Sequence, residues 1–353
     1  MTRQNQVATI YEKIVRTDKK KLIKITAITL AAVALGICVV FAVYGIIYNV
    51  RRNAAPPVDI SSYTGDGDDV IHFMNTGGSD AILIESNGKF ALVDCAEDTD
   101  NPRGLESLEL EGYEQVVVDY VKKVAADQNG KVTLEFVVGT HAHSDHLGGF
   151  DTLFNDPDVT VKDAYLKRYY EDRISDCEVT EWDNTEVYNQ TVEAALANGI
   201  NLIQDLDAVG TITLGDFAID FLATEEADPD KKVGENDNSV ALLLKKGENK
   251  ILLMGDVNYG SGDENRIAKQ VGKVDLMKVG HHGLGYSTGS PLLTATQPPV
   301  AIVTNLEKNI YFGTKFRLVM NSRSAIYSTG EYNGIAAVIG DDKGDITLLS
   351  NIH

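Results

Sequence analysis

Residues 25–50 (ITAITLAAVALGICVVFAVYGIIYNV) carry no charge, and this run of 26 residues constrains the chain more than any other stretch. It exceeds the roughly 20 residues a helix needs to cross a bilayer. The apolar core of a cleaved secretory leader is shorter, about 7–15 residues, and ends at a small-residue site. The run is therefore read as an uncleaved transmembrane helix. Arg3, Lys13, Arg16, Lys19, Lys20, Lys21 and Lys24 precede it, and only Arg51 and Arg52 follow closely. Positive flanks stay in the cytoplasm. The expected layout is a basic cytoplasmic segment (1–24), one membrane helix (25–50), a linker (51–65) holding Pro56 and Pro57, and an extracellular domain (66–353) at the cell membrane.

Charge is shared unevenly between these parts. Residues 1–52 hold nine Lys/Arg and two Asp/Glu, so the remainder, with 23 basic and 50 acidic residues, carries a formal −27. Such a domain repels polyanions, which argues against tight nonspecific nucleic-acid binding. A phosphate substrate stays admissible if metal ions reverse the local field. Cys38 lies in the apolar run, and Cys95 and Cys177 are too few for a disulfide framework, so they are read as separate thiols.

Beyond the linker, short apolar or alternating runs (VIHFMN, AILIES, KFALVDC) open the domain as a β-meander. Helical spacing predicts helices over 107–126, 184–198 and 265–271, and VTLEFVVGTH reads as a buried strand. INLIQDL, TITLG, FAIDFLA, SVALLLKK, KILLMGD, VDLMKVG and VAIVTN follow as strands, and residues 334–350 as a closing hairpin. Two runs of mainly antiparallel strands interleaved with helices predict an α/β fold, a four-layer αββα sandwich.

At the end of VTLEFVVGTH stands THAHSDHLGG, which packs three of the seven histidines and an aspartate into six residues. His141 and His143 alternate along extended backbone, so both imidazoles face one side and can share an ion. Asp145 and His146 follow where the chain turns and can serve a second ion. Gly148 and Gly149 suit the tight turn. Without a cation these groups would need costly desolvation. Two other strands also end on donors: KILLMGD on Asp256, placed to bridge two ions, and VDLMKVGHHG on His281 and His282. His72, inside a strand, and His353, at the end, are read as ordinary residues.

These motifs resemble the metallo-β-lactamase superfamily of metallohydrolases, whose H-x-H-x-D-H is matched by His141, His143, Asp145 and His146. The resemblance covers about residues 70–350. It implies two divalent ions, zinc fitting the His/Asp set best with manganese or iron as alternatives. It implies a supporting role behind the histidines for Asp94 and catalytic roles for Asp145, Asp256 and His281. Many members place another histidine between the first cluster and the bridging aspartate. Residues 147–280 contain none, so Asn238 or Asp237 is the expected helper.

Two branches look similar. NDNSVALLL, ILLMGD and LMKVGHHG resemble the hydrolase domain of competence-type DNA-uptake channel proteins. YLKRYYEDRIS, EWDN and GKVDLMKVGHH resemble the catalytic module of surface phosphorylcholine esterases. The second resemblance makes His282 a ligand and His281 a phosphate contact, the reverse assignment remaining open. The expected reaction is hydrolysis of a phosphoester, a diester such as phosphocholine on a teichoic-acid-like surface polymer, with Tyr165, Tyr169, Tyr170, Trp182 and Asp183 candidates for a choline pocket. The alternatives are a surface nuclease or nucleotidase and an inactive binding module of the same fold.

Overall fold

The computed structural model describes residues 3–60, 69–100, 107, 110–226 and 228–353. Linker residues 61–65, and residues 108–109 of the first helix expected in the domain, lie outside the described residues. The chain divides into two compact units, Met1–Val50 and Arg51–His353. One helix, Arg3–Ala54, fills the first unit and runs into the second. Its stretch Arg16–Arg52 is long and apolar enough to cross a membrane.

The second unit contains sixteen strands among the described residues: β1 (Val58–Asp59), β2 (Val70–Phe73), β3 (Ala81–Ser86), β4 (Lys89–Cys95), β5 (Val132–Gly139), β6 (Val159–Leu166), β7 (Asn201–Ile203), β8 (Ile212–Leu214), β9 (Phe217–Leu222), β10 (Ala241–Lys246), β11 (Asn249–Leu253), β12 (Leu276–Lys278), β13 (Val300–Val303), β14 (Ala325–Ser328), β15 (Ile335–Ile339) and β16 (Ile346–Ser350). They form a nine-stranded sheet, β1-β16-β15-β2-β3-β4-β5-β6-β7, and a seven-stranded sheet, β14-β13-β12-β11-β10-β9-β8. Val58–Asp59, within the segment expected as linker, adds a parallel edge strand beside β16.

Period-two patterning explains the layers. Along β3, Ala81 and Leu83 point to one cluster and Ile82 and Ile84 to the other; β4 and β5 alternate likewise. One cluster, including Phe73, Val138, Phe217, Leu242 and Ile302, fills the space between the sheets. The other packs the outer face of the large sheet against Val117 and Val121 of helix Glu114–Ala125, Phe150 and Leu153 of Phe150–Asn155, and Val187 of Asn184–Ala197. Helices Asp263–Val271 and Ser290–Thr296 accompany the small sheet. The result is the expected α/β sandwich.

The expectation of mainly antiparallel strands is corrected. Among the described residues, seven of the fourteen strand pairings are parallel. The reason is the helices inserted between consecutive strands, since β11 to β14 and β5 to β7 are joined by crossovers that return each strand in the same direction. This matters for the site. Parallel neighbours end on the same side, so the residues that follow β5, β11, β12 and β13 gather at one rim.

Candidate metal centre

The rim is assembled from segments distant in sequence. His141–His146 follows β5, Asp256 follows β11, the His281–His282 pair follows β12, and Thr304 follows β13. Asp94 is the penultimate residue of β4, and Asp80 directly precedes β3. His281 N donates to Gly255 O at 3.1 Å, tying two of these ends together. Gly148 and Gly149 are needed for close approach, with φ values of −50° and −77° that any residue adopts. A Cβ on Gly149 would fall 2.3 Å from Cys95 O, and one on Gly148 2.7 Å from Asp98 N. By contrast, His281 and His282 do lie in the left-handed region, at φ 51° and 48°. Side chains disfavour that conformation, and such strain is held where the surroundings over-determine it.

Four side chains converge on one point. His146 Nε2 lies 3.1 Å from His282 Nε2 and 3.4 Å from Asp256 Oδ1. His282 Nε2 is 3.3 Å from both Asp145 Oδ2 and Asp256 Oδ2. The ligands of a tetrahedral ion bound at about 2.0–2.1 Å stand about 3.3–3.4 Å apart, so these spacings fit a shared cation. Asp145 Oδ1 and Asp256 Oδ1 are buried and accept no hydrogen bond. Burial alone would depress His146 and His282. The surrounding carboxylates, Asp256 foremost, overcome it, raising His146 to about 10 and His282 well above the ordinary imidazole value. In chemical terms, the pocket demands positive charge at its centre.

The outward edges of these imidazoles are gripped as well. His146 Nδ1 lies 2.8 Å from Asp94 Oδ2, and Asp94 also accepts Thr140 N at 2.8 Å and Thr140 Oγ1 at 2.9 Å. Asp94 thus stands behind His146. His282 Nδ1 is 3.3 Å from both Asp80 Oδ1 and Thr304 Oγ1. Asp80, His146, Asp256 and His282 offer ligand atoms within 4.8 Å of one another. Asp80, however, faces Nδ1 of both rings and pairs with the fully buried Lys278, so it orients the imidazoles from behind. Lys278 Nζ also donates to Gly255 O at 3.0 Å and lies 3.7 Å from Asp256 Oδ1. Neither Asp80 nor Lys278 was expected from the sequence. The available signal was weak, a polar residue at the end of an apolar strand in each case.

A second pair stands beside this pocket. His141 Nε2 and His143 Nδ1 are 3.0 Å apart, and the His141 and His146 rings lie 4.2 Å between centroids. His143 Nε2 faces Glu178 Oε2 at 3.4 Å, which leaves its Nδ1 for the centre. Glu178, also unexpected, accepts Glu235 N at 2.8 Å, and Glu235 Oε1 accepts Ala142 N at 3.0 Å. Asn238 does not approach an ion position: its Nδ2 donates to Glu235 Oε2 at 2.8 Å, supporting the loop from behind. Asp237 faces Asn258. His281 sits at the mouth, with Nε2 3.3 Å from Asn236 Nδ2 and 3.8 Å from Asp256 Oδ2.

The expected choline pocket does not assemble. Tyr165 packs in the core between Phe136 and Phe221, with ring centroids 5.7 and 5.1 Å away. Trp182 stacks on His143 at 4.9 Å, Tyr169 packs on Tyr188, and Tyr170 lies under Arg173. Asp183 is buried at the start of helix Asn184–Ala197. Nearness in sequence does not bring these aromatics together, because β6 turns Tyr165 inward. The three thiols are free. His72 is buried against Tyr120 and His353 accepts Asn75 N at 2.8 Å, both apart from the site.

Residues 114–284 match the Beta-lactamase superfamily domain. The chain is 26% identical over 234 residues to Recombination protein 2 of Haemophilus influenzae, covering 66% of this chain and 24% of that protein. It is 28% identical over 178 residues to ComE operon protein 3 of Bacillus subtilis, covering 50% and 21%. The chain thus spans no more than about a quarter of the length of these relatives. Among solved structures, the metallo-beta-lactamase fold protein YhfI from Bacillus subtilis aligns with a TM-score of 0.45 at 14% identity, over 74% of this chain and 96% of that one. Zn2+-bound PqqB from Methylobacterium extorquens aligns with a TM-score of 0.43 at 10% identity, over 73% and 97%. The sandwich and its buried His/Asp cluster define a metal-dependent hydrolase. Its α/β sandwich is consistent with the metallo-β-lactamase fold.

Proposed function

We propose that this chain hydrolyses a phosphodiester at the outer face of the cell membrane, anchored by residues 25–50 with its N-terminus in the cytoplasm. The observation that supports it most is the convergence of His146, His282, Asp145 and Asp256 on one point beside the His141–His143 pair. The first four would hold one divalent ion. His141 and His143, with Asp256 between the two sets, would hold a second. Zinc suits these nitrogen and oxygen donors best, manganese or iron being alternatives. Divalent ions bring Lewis acidity and a water of lowered pKa to such a site.

The chain's own residues do the rest. Asp94, Asp80 and Glu178 hold the imidazoles in the tautomers that point their free nitrogens inward. Lys278 offsets part of the carboxylate charge without competing for the mouth. His281, at the mouth with Nε2 accepting from Asn236 Nδ2, would meet the substrate as a neutral imidazole, the form that burial favours. Phosphocholine on a surface polymer is the first candidate substrate, carried by the sequence resemblance alone, since the aromatics of 165–182 do not form one pocket. A nucleic-acid diester is the second reading, favoured by the relative named Recombination protein 2 and opposed by the acidic surface. Turnover of p-nitrophenylphosphorylcholine and of single-stranded DNA by the full chain separates them. Activity on either should vanish on chelation and return with zinc. Full activity in a His141→Ala/His143→Ala variant would refute the reaction, and no activity on any phosphoester with metal bound would favour a binding module.

A further inference from the structure

The small sheet has a second end. Opposite the metal centre, before β12, β13 and β14 begin, a cavity of about 260 Å³ is lined by Arg51, Lys273, Asp275, Gln297, Arg323 and Lys343 among others. Four of these are cationic and one is acidic. Asp275 Oδ2 is already engaged, accepting from Lys343 Nζ at 2.7 Å and from Lys250 N at 3.0 Å. Among the described residues, Arg51, Lys273 and Arg323 form no ion pair. Three uncompensated cations therefore meet in a domain where acidic residues outnumber basic ones by about two to one. General solubility of an acidic surface does not place them together. Like charges in one cavity repel unless an anion joins them.

We infer that this cavity is a binding site for a phosphate group. Guanidinium forks and ammonium groups are the donors that recognise phosphate oxygens, the former bidentately. The phosphate could belong to the headgroup of an acidic phospholipid or be free in solution. The headgroup is favoured by covalent continuity: Arg51 directly follows the last residue of the uncharged run 25–50. That step rests on reading the run as a membrane span, which would set Arg51 at headgroup depth. The site is independent of the metal centre, so its failure would leave the hydrolytic reading untouched.

The test uses the full chain in nanodiscs of phosphatidylcholine, with or without phosphatidylglycerol, and in neutral discs with added inorganic phosphate. Thermal unfolding is followed for wild type, for Lys273→Ala/Arg323→Ala and for Lys231→Ala/Lys308→Ala, which removes equal charge from exposed positions elsewhere. Phosphatidylglycerol should raise the midpoint of the wild type and of the second variant, but not of the first. The apparent affinity of the first should fall about tenfold or more, the size of one lost charge-assisted contact. The same pattern with inorganic phosphate alone would assign the site to free phosphate. Single Lys273→Gln and Arg323→Gln variants, each expected to lose part of the response, replace the double variant if it does not fold. Equal responses in all variants, or none in any, would overturn the site.

Discussion

The two halves of the metal centre are built differently. Around His146 and His282, each outward nitrogen meets a buried carboxylate, and Asp145 and Asp256 close the inner side. Around His141 and His143, one outward nitrogen meets the Thr140 hydroxyl at 3.1 Å and the other meets Glu178 at 3.4 Å, and the nearest further imidazole among the described residues is His146, which belongs to the first half. The first half is crowded with negative charge and closed, and the second has fewer donors and a free side. The difference predicts unequal ions: one held firmly for structure and charge, one held loosely with room for substrate oxygen.

Removing the firm half should have the largest effect. His146→Ala or Asp256→Ala is expected to lower kcat on the order of 10³-fold, because several kcal/mol of transition-state stabilisation depend on that ion. Retained activity in either would break the comparison. Next comes Lys278→Met, which leaves Asp80 buried without its ammonium. Denaturant unfolding of the metal-free protein should show a loss of about 3–5 kcal/mol, the range for breaking a buried pair. An unchanged midpoint would mean the lysine is not needed to hold the carboxylates together. Glu178→Gln touches only the loose half. It should weaken the second ion about 10–100-fold by metal titration while leaving the first unchanged.

The smallest effect concerns the loop that presents His281 and His282. Glu264, buried at the start of helix Asp263–Val271, accepts Gly289 N at 2.8 Å and also Thr288 N, while Thr288 Oγ1 accepts Gly280 N at 3.1 Å. Burial raises this carboxyl to about 7, against the pull of the two backbone donors and Arg317. A folded value above the unfolded one means its contribution is complete below about pH 4.5 and is lost as pH rises through about 7. Glu264→Gln should flatten that part of the stability profile, as read by thermal unfolding between pH 5 and 8. An identical slope in the variant would remove Glu264 from the account.

How legible this was depended on distance along the chain. The sandwich could be read because strands covered on both faces appear as continuous apolar runs, as in AILIES and KFALVDC. Parallel pairing could not, because the short helices Phe150–Asn155 and Ser290–Thr296 carry too few turns to show a period. His141, His143, Asp145 and His146 announced themselves by density. Asp80, Glu178 and Lys278 are single polar residues; the Glu178–His143, Asp80–Lys278 and Asp80–His282 pairs span 35 to 202 positions, and only folding brings them together. The aromatic motif failed for the same reason in reverse. Proximity in sequence put Tyr165 and Trp182 in one expected pocket, while β6 carries Tyr165 into the core and Trp182 lies on the His143 ring.

Equilibrium dialysis of metal-free protein against graded zinc, with bound ions counted per chain by elemental mass spectrometry, addresses the inequality of the two halves directly. The expected curve has two steps, one ion at low free zinc and a second only at concentrations at least about tenfold higher, the second step alone moving in Glu178→Gln. A single step to two ions, or a chain that retains none, would contradict it.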